Sequence, residues 1–326
     1  MSEELVRIFR GNTVESIHRG SIVVVSSQKG VIYGIGDIDR ITFFRSTEKP
    51  LQTIAALETG IVEEYGLDLK DVAIMTASHS GEEEHINTLL ELMRKTGIKE
   101  DDLQCGIHEP VNKEEAKKLV AKGIQPSKLH CNCSGKHIGQ LAAIKLKGLN
   151  FKGYLEPNHK MQKEVKRIVA EFSGTAISEV IEAKDGCGIT VHAVPLKNIA
   201  LSYANLCNEE FMEGRYKKSQ NYIVSAMTMY PEMVAGKGRL DTAIMKRLGD
   251  RMISKIGAEG TYAAGIIGKS IGIAIKIEDG NSRAVGPAII ETLVQIGTIH
   301  EDEANQLKSY WNPGVYNHKN ELVGEI

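Results

Sequence analysis

The chain has 326 residues, 42% hydrophobic and 25% charged, with a formal net charge of −2. That length accommodates one large or two ordinary domains, and the balance is that of a soluble globular protein. A near-neutral charge, with no Lys/Arg run carrying interleaved aromatics, argues against a nucleic-acid or anionic-membrane binder, which needs a basic surplus on some face.

The amino terminus, MSEELVRIFRGNTVES, is charged and lacks the apolar core and small-residue cleavage site of a signal peptide. Residues 4–38 read as strands. Val6, Ile8 and Phe9 precede a Gly11-Asn12 turn, and Ile22–Val25 is a β-branched run far too short to cross a bilayer. Ser26–Gly30 then reads as a hairpin connection into Val31-Ile32-Tyr33. The middle of the chain is helical. Ile86, Leu89, Leu90 and Met93 recur at helical spacing with Gly97 as a stop, and Asn112 with Glu115 forms an amino-terminal cap. Met161 to Phe172 and Leu196 to Tyr203 mark further helices. Thr261–Ile267 and Ile271–Ile277 return to strand, a third short strand is expected around Ala284, and a final helix over Ala288–Ile299. A chain that leaves a sheet, builds helices and returns to the same sheet predicts a two-lobed α/β (α+β) body with a cleft.

Chemistry enters at Ser46-Thr47-Glu48-Lys49. Spaced three apart at a helix start, a hydroxyl and an ammonium lie within reach, and a lysine of lowered pKa can activate the serine. Ile54, Leu57 and Ile61 continue the helical stripe. Taken alone, the motif reads better as a helix cap with a solvated lysine; Ser26 and Lys29 repeat it in a turn. Two further elements change the balance. Ala77-Ser78-His79-Ser80-Gly81 ends the apolar run Val72–Met75, and Lys255-Ile256-Gly257 introduces the last strands. A Ser-x-x-Lys, a loop serine and a Lys-x-Gly strand, in that order, are the arrangement of serine β-lactamases and penicillin-binding proteins.

A second constellation is Cys131-Asn132-Cys133-Ser134-Gly135-Lys136-His137 with Asp185-Gly186-Cys187-Gly188. Close thiols beside a histidine fit either a soft-metal site, zinc by default, or buried free cysteines. The full set of five cysteines (Cys105, Cys131, Cys133, Cys187, Cys207) is odd and carries no export signal, which fits a disulfide framework poorly.

Seven segments together resemble the L-asparaginase II family of the Rhizobium etli type, whose fold is related to serine β-lactamases and glutaminases. They are RSTEKPLQ (45–52), ASHSGE (77–82), CGIHEP (105–110), HCNCSGKHIG (130–139), LEPNH (155–159), DGCGI (185–189) and KIGAEGTYAAGI (255–266). The resemblance implies one catalytic domain over residues 1–326. Its sheet lobe would take about 1–45 and 250–326, an antiparallel sheet from both chain ends, and its helical lobe about 46–249. It further implies hydrolysis of L-asparagine by two Ser–Lys tandems, Ser46 with Lys49 and Ser78 with Lys255. A zinc ion held by Cys133, Lys136, Cys187 and water, and a homodimer, are also implied. Arg45, His137 and Asp185 are the expected contacts for the substrate's α-amino and α-carboxylate groups, or else structural ion pairs. The expected location is cytoplasmic, with no nucleic-acid or membrane partner.

Three departures stand out. Cys131 replaces the family's asparagine, Gly188 follows Cys187, and Ile256 stands where the lactamase pattern has threonine. Gln140 or Ser134 could supply the missing hydrogen bond. A β-lactamase or transpeptidase, a zinc-dependent asparagine-binding protein without catalysis, and a glutaminase are the competing readings. The glutaminase differs from an asparaginase by one substrate methylene.

Overall fold

The computed structural model describes residues 2–326. An eight-stranded antiparallel sheet is built from both ends of the chain. The amino-terminal part supplies β1 (Glu3–Arg10), β2 (Thr13–Ser26) and β3 (Gly30–Ile35). A short β4 (Ile41–Phe43) follows, outside this sheet. After the helical middle come β7 (Met252–Gly257), β8 (Thr261–Ile266) and β9 (Ile271–Ile277), then β10 (Gly314–Tyr316) and β11 (Leu322–Glu325). The order is β10-β11-β1-β2-β9-β8-β7, with β3 beside β2.

The run Ile22–Val25 explains why the sheet is covered on both faces. Side chains alternate across a strand, so Val23 and Val25 enter one core and Ile22 and Val24 the other. The first core is filled by the middle helices; the second by the Leu240–Leu248 and Val285–Gln295 helices. Burying each such aliphatic side chain contributes roughly 1.5–3 kcal/mol. The Leu196–Leu206 helix lies against β9 at backbone distance, because Gly272 has no Cβ to meet the Ala200 carbonyl.

Most expected elements fall where the periodicity puts them. The Glu83–Thr96 helix ends at Gly97 with φ 64°, and Asn112 caps the Lys113–Ala121 helix by accepting from Glu114 N and Glu115 N. Four details differ. The strand expected around Ala284 is a tight Ser282–Ala284 turn, capped by Asn281, that runs straight into the Val285–Gln295 helix. That helix is not the last: Glu301–Asn305, Lys308–Trp311 and the β10–β11 hairpin follow. Ile61 does not continue the stripe of Ile54 and Leu57, since Gly60 at φ 94° breaks the chain into a second helix. A three-stranded sheet also interrupts the helical region, where β4 pairs with β6 (Thr190–Pro195) and β6 with β5 (Ile181–Lys184).

Candidate active site

β4 delivers the chain into a sharp turn. Phe44 N donates to His192 O, and Arg45 follows in the left-handed region (φ 51°), a strained position for a side-chain-bearing residue. A tight Arg45–Glu48 turn leads directly into the Lys49–Leu57 helix, whose Pro50 sits in the first turn where its missing N–H costs little. Gly257 lets the end of β7 approach this turn: a Cβ there would lie 3.0 Å from Phe44 O and 3.3 Å from Arg45 Cβ. The turn is pinned from beneath by Glu48, which accepts from His192 N (2.9 Å), His192 Nδ1 (2.8 Å) and Gln52 Nε2 (3.0 Å). Tyr203 OH donates to Thr47 O at 2.8 Å.

Ser46 is half-buried at this turn, and Lys49 is directed inward, 1% exposed. Its ammonium donates to Ala77 O (2.6 Å), Ser78 Oγ (2.8 Å) and Asn132 O (3.3 Å). An ammonium has three donors, and here two segments distant in sequence, 77–78 and 132, supply three acceptors. Ser78 is itself held by its N–H on Val234 O at 2.9 Å. On β7, fully buried Lys255 donates to Ile256 O (3.1 Å) and lies 3.6 Å from Asp241 Oδ2. Burial pushes the Lys255 pKa down to about 7; Asp241 opposes the shift, while Lys49 and Arg239 add to it.

The structure therefore brings Ser46, Lys49, Ser78 and Lys255 into one region but bonds them differently from the expected tandems. Lys49, expected on Ser46, is hydrogen-bonded to Ser78; Lys255, expected on Ser78, rests on Asp241 and its own strand. A buried ammonium takes the acceptors the interior offers, whichever hydroxyl is nearest in sequence.

The cysteine segment enters the Ser134–Leu146 helix, which abuts the end of the Leu69–Met75 helix. Gly135 makes this possible, since a Cβ there would collide with the Ile74 carbonyl. Lys136 Nζ donates to Cys187 Sγ at 3.2 Å. Cys187 Sγ lies 3.9 Å from Asp185 Oδ2, and Arg45 Nε donates to Asp185 Oδ1 at 2.8 Å. Burial disfavours the Lys136 cation, but Cys187, Cys133 and Asp185 outweigh it and hold its pKa above the usual lysine range. Cys133 is held well below the usual thiol range by hydrogen bonds from Cys131 and Cys187 and by the fields of Lys49 and Lys136. Cys131 is pushed up by its thiol neighbours, and its Sγ donates to Cys105 O at 3.4 Å. His137 is fully buried and, through burial and then Lys136, has its pKa lowered to about 3. Its Nδ1 shares a hydrogen bond with Tyr154 OH (2.7 Å), and its Nε2 has no partner among the described residues.

Among the described residues no three His, Cys, Asp or Glu side chains gather into a metal cluster. The expected zinc set is two thiols and an amine. Cys133, Lys136 and Cys187 are all buried, and Cys133 is disposed to the thiolate. Sulfur and nitrogen donors of this kind suit zinc, and the residues fit the ion once it displaces the protons that Lys136 and Cys187 hold without it. Sequence reasoning missed Asp241, Tyr154 and the Glu48–His192 pair. Glu48 alone had a signal, its place inside the Ser-x-x-Lys motif.

A family model described as L-asparaginase II matches residues 6–326. No protein of curated function matches the chain in sequence. Among solved structures, Mglu in its native form aligns over 86% of this chain and 65% of its own, at 13% identity and TM-score 0.47. The chain thus spans less than two thirds of Mglu. A β-lactamase from Mycobacterium bovis aligns over 86% of this chain and 95% of its own, at 14% identity and TM-score 0.48.

Proposed function

The chain belongs to the L-asparaginase II family, and from that premise we propose that this amidohydrolase converts L-asparagine to L-aspartate and ammonia through a serine nucleophile. The observation that carries the proposal is the contact of the buried Lys49 ammonium with Ser78 Oγ at 2.8 Å, beside a half-buried Ser46.

Ser46 Oγ attacks the side-chain amide carbon of asparagine. The proton it loses passes into the network of Lys49, Ser78 and Lys255, and the same network returns a proton to the departing nitrogen, which leaves as ammonia. Water then cleaves the Ser46 acyl ester, restoring the hydroxyl and releasing aspartate. A lysine with a pKa of about 7 suits this exchange, because general acid–base groups work best near ambient pH. The Arg45–Asp185 pair presents opposite charges that complement the α-carboxylate and α-ammonium of a free amino acid, and His137, the third expected contact, is kept neutral by burial. Zinc is assigned to Cys133, Lys136 and Cys187. When bound, it would orient the 185–189 loop carrying Asp185 rather than polarise the reacting amide. A homodimer in the cytoplasm belongs to the same reading; among the described residues no helix is long and apolar enough to cross a membrane.

The test is ammonia release by the purified protein from L-asparagine and L-glutamine side by side, with Ser46→Ala as control. Release from asparagine that disappears in the variant supports both reaction and nucleophile. Faster release from glutamine would transfer the proposal to a glutaminase, and none from either amide would end it.

A further inference from the structure

Lys255 is less well held than Lys49. Both ammonium groups are buried, but Lys49 has three close acceptors, whereas Lys255 has one carbonyl at 3.1 Å and a carboxylate at 3.6 Å. The carboxylate is Asp241, in the first turn of the Leu240–Leu248 helix and 0% exposed. A helix start favours a negative charge there. Its Oδ2 also accepts from Ile256 N at 3.0 Å. β7 ends the sheet order, so this N–H is one that no further strand takes up. One oxygen thus grips the backbone of Ile256 and faces the side chain of Lys255, while Oδ1 has no partner among the described residues.

We infer that Asp241 is a positioning residue of the active centre: it anchors the end of β7 and, as the counter-ion of Lys255, holds that ammonium in place within the field of Lys49. The inference rests on the proposed place of Lys255 in that centre. The charged and titratable groups that set Lys255 are Asp241 and Arg239 from the Leu240–Leu248 helix and its cap, Lys49 from its own helix, and Cys133 ahead of the Ser134–Leu146 helix. Asp241 and Cys133 favour the ammonium; burial, Lys49 and Arg239 oppose it. The buried Tyr203 and Tyr262 phenols, close enough to feel Asp241, are held above the usual phenol range by burial and then by that carboxylate.

Asp241→Asn keeps the side chain's shape and its acceptor for Ile256 N but removes the charge. The Lys255 pKa must then fall, and the limb of the pH profile that Lys255 governs moves to lower pH whether the amine acts as base or as acid. The experiment is kcat and kcat/KM for asparagine hydrolysis against pH, wild type beside Asp241→Asn. The expected result is an acidward displacement of that limb by about one pH unit or more. A variant that is less stable but keeps the wild-type limb would overturn the inference, since a purely structural role predicts that outcome.

If Asp241→Asn does not fold, the Lys255→Met/Asp241→Asn pair decides. Recovery of soluble yield and thermal midpoint in the double variant supports the counter-ion role, and no recovery overturns it. If the wild type releases no ammonia, the proposed function fails separately. The inference is then read by NMR titration of the Lys255 side chain in lysine-labelled protein. A lower pKa in Asp241→Asn than in the wild type supports it; an unchanged one overturns it.

Discussion

Lys49 Nζ lies 2.8 Å from Ser78 Oγ, although Lys49 opens one helix, Ser78 sits in the loop between two others, and the contact is wholly buried. The ammonium also takes the Ala77 and Asn132 carbonyls, so it joins the Ser-x-x-Lys turn to both the Ser78 loop and the cysteine segment. Ser78→Ala removes one of three acceptors from a buried cation without touching Ser46. Turnover should fall by about 10²–10⁴-fold, the usual contribution of positioned proton transfer. KM should change little. Ser46→Ala should abolish turnover and, by intact mass spectrometry, any acyl-enzyme. Full activity in either variant would reassign the serine roles.

The Glu48–His192 pair is fully buried and fixes the turn that presents Ser46. Glu48→Ala should cost about 3–5 kcal/mol, the range for breaking a buried ion pair by removing one partner. The sign of its pH dependence follows from His192. Burial lowers that pKa, but Glu48 outweighs it and the net shift is upward. A group whose folded pKa is raised contributes stability that is fully present below the unfolded value and lost as pH rises through the folded one. Denaturant unfolding should therefore show the wild type's advantage over the variant shrinking from about pH 6 upward. A constant difference would remove the charge from this account.

Lys255 gives the opposite trend. Its folded pKa of about 7 lies below the ordinary value of 10.5, so between these values the unfolded chain binds more protons. Stability must rise with pH across that window. The wild type should gain about 2 kcal/mol relative to Lys255→Met between about pH 7 and 9. Equal pH slopes for the two proteins would mean that Lys255 is not buried as an amine of lowered pKa.

Gly135 connects packing to the site. A Cβ there would run into the Ile74 carbonyl, which is backbone and cannot turn aside. Gly135→Ala should force the Ser134–Leu146 helix away from the Leu69–Met75 helix at a cost of about 1–3 kcal/mol. Lys136 and His137 ride on the displaced turn, so activity should fall well beyond the loss of folded protein. Circular dichroism and turnover on the same sample would separate the two effects.

Much of this was legible from local pattern. The β-branched run Ile22–Val25 marks a strand buried on both faces, and Asn112 and Gly97 mark helix ends, because caps and periodicity are properties of neighbouring residues. The short strands Ile181–Lys184 and Thr190–Pro195 were not legible, since they are stabilised by pairing with each other and with Ile41–Phe43 far upstream. Likewise the motifs placed Ser46, Lys49, Ser78 and Lys255 in one region but not their bonds. Spacing describes which side chains share a turn; a buried ammonium is directed by acceptors the whole fold brings to it, as Ala77, Asn132 and Asp241 do here.

The cysteines can be told apart by metal content. Cys133 and Cys187 flank Lys136 in the proposed zinc set, whereas the Cys131 thiol is spent on the Cys105 carbonyl. Cys133→Ser and Cys187→Ser should each take bound zinc, measured by elemental analysis of dialysed protein, from about one ion per chain to near none. Cys131→Asn should leave it unchanged; loss of zinc there would make Cys131 a ligand. Because the ion would hold the loop of Asp185 rather than the serines, chelation should raise KM for asparagine by about tenfold or more while kcat stays within about threefold. Loss of kcat at constant KM would instead place the metal in the chemical step, and the Ser46 pathway would need to be redrawn around it.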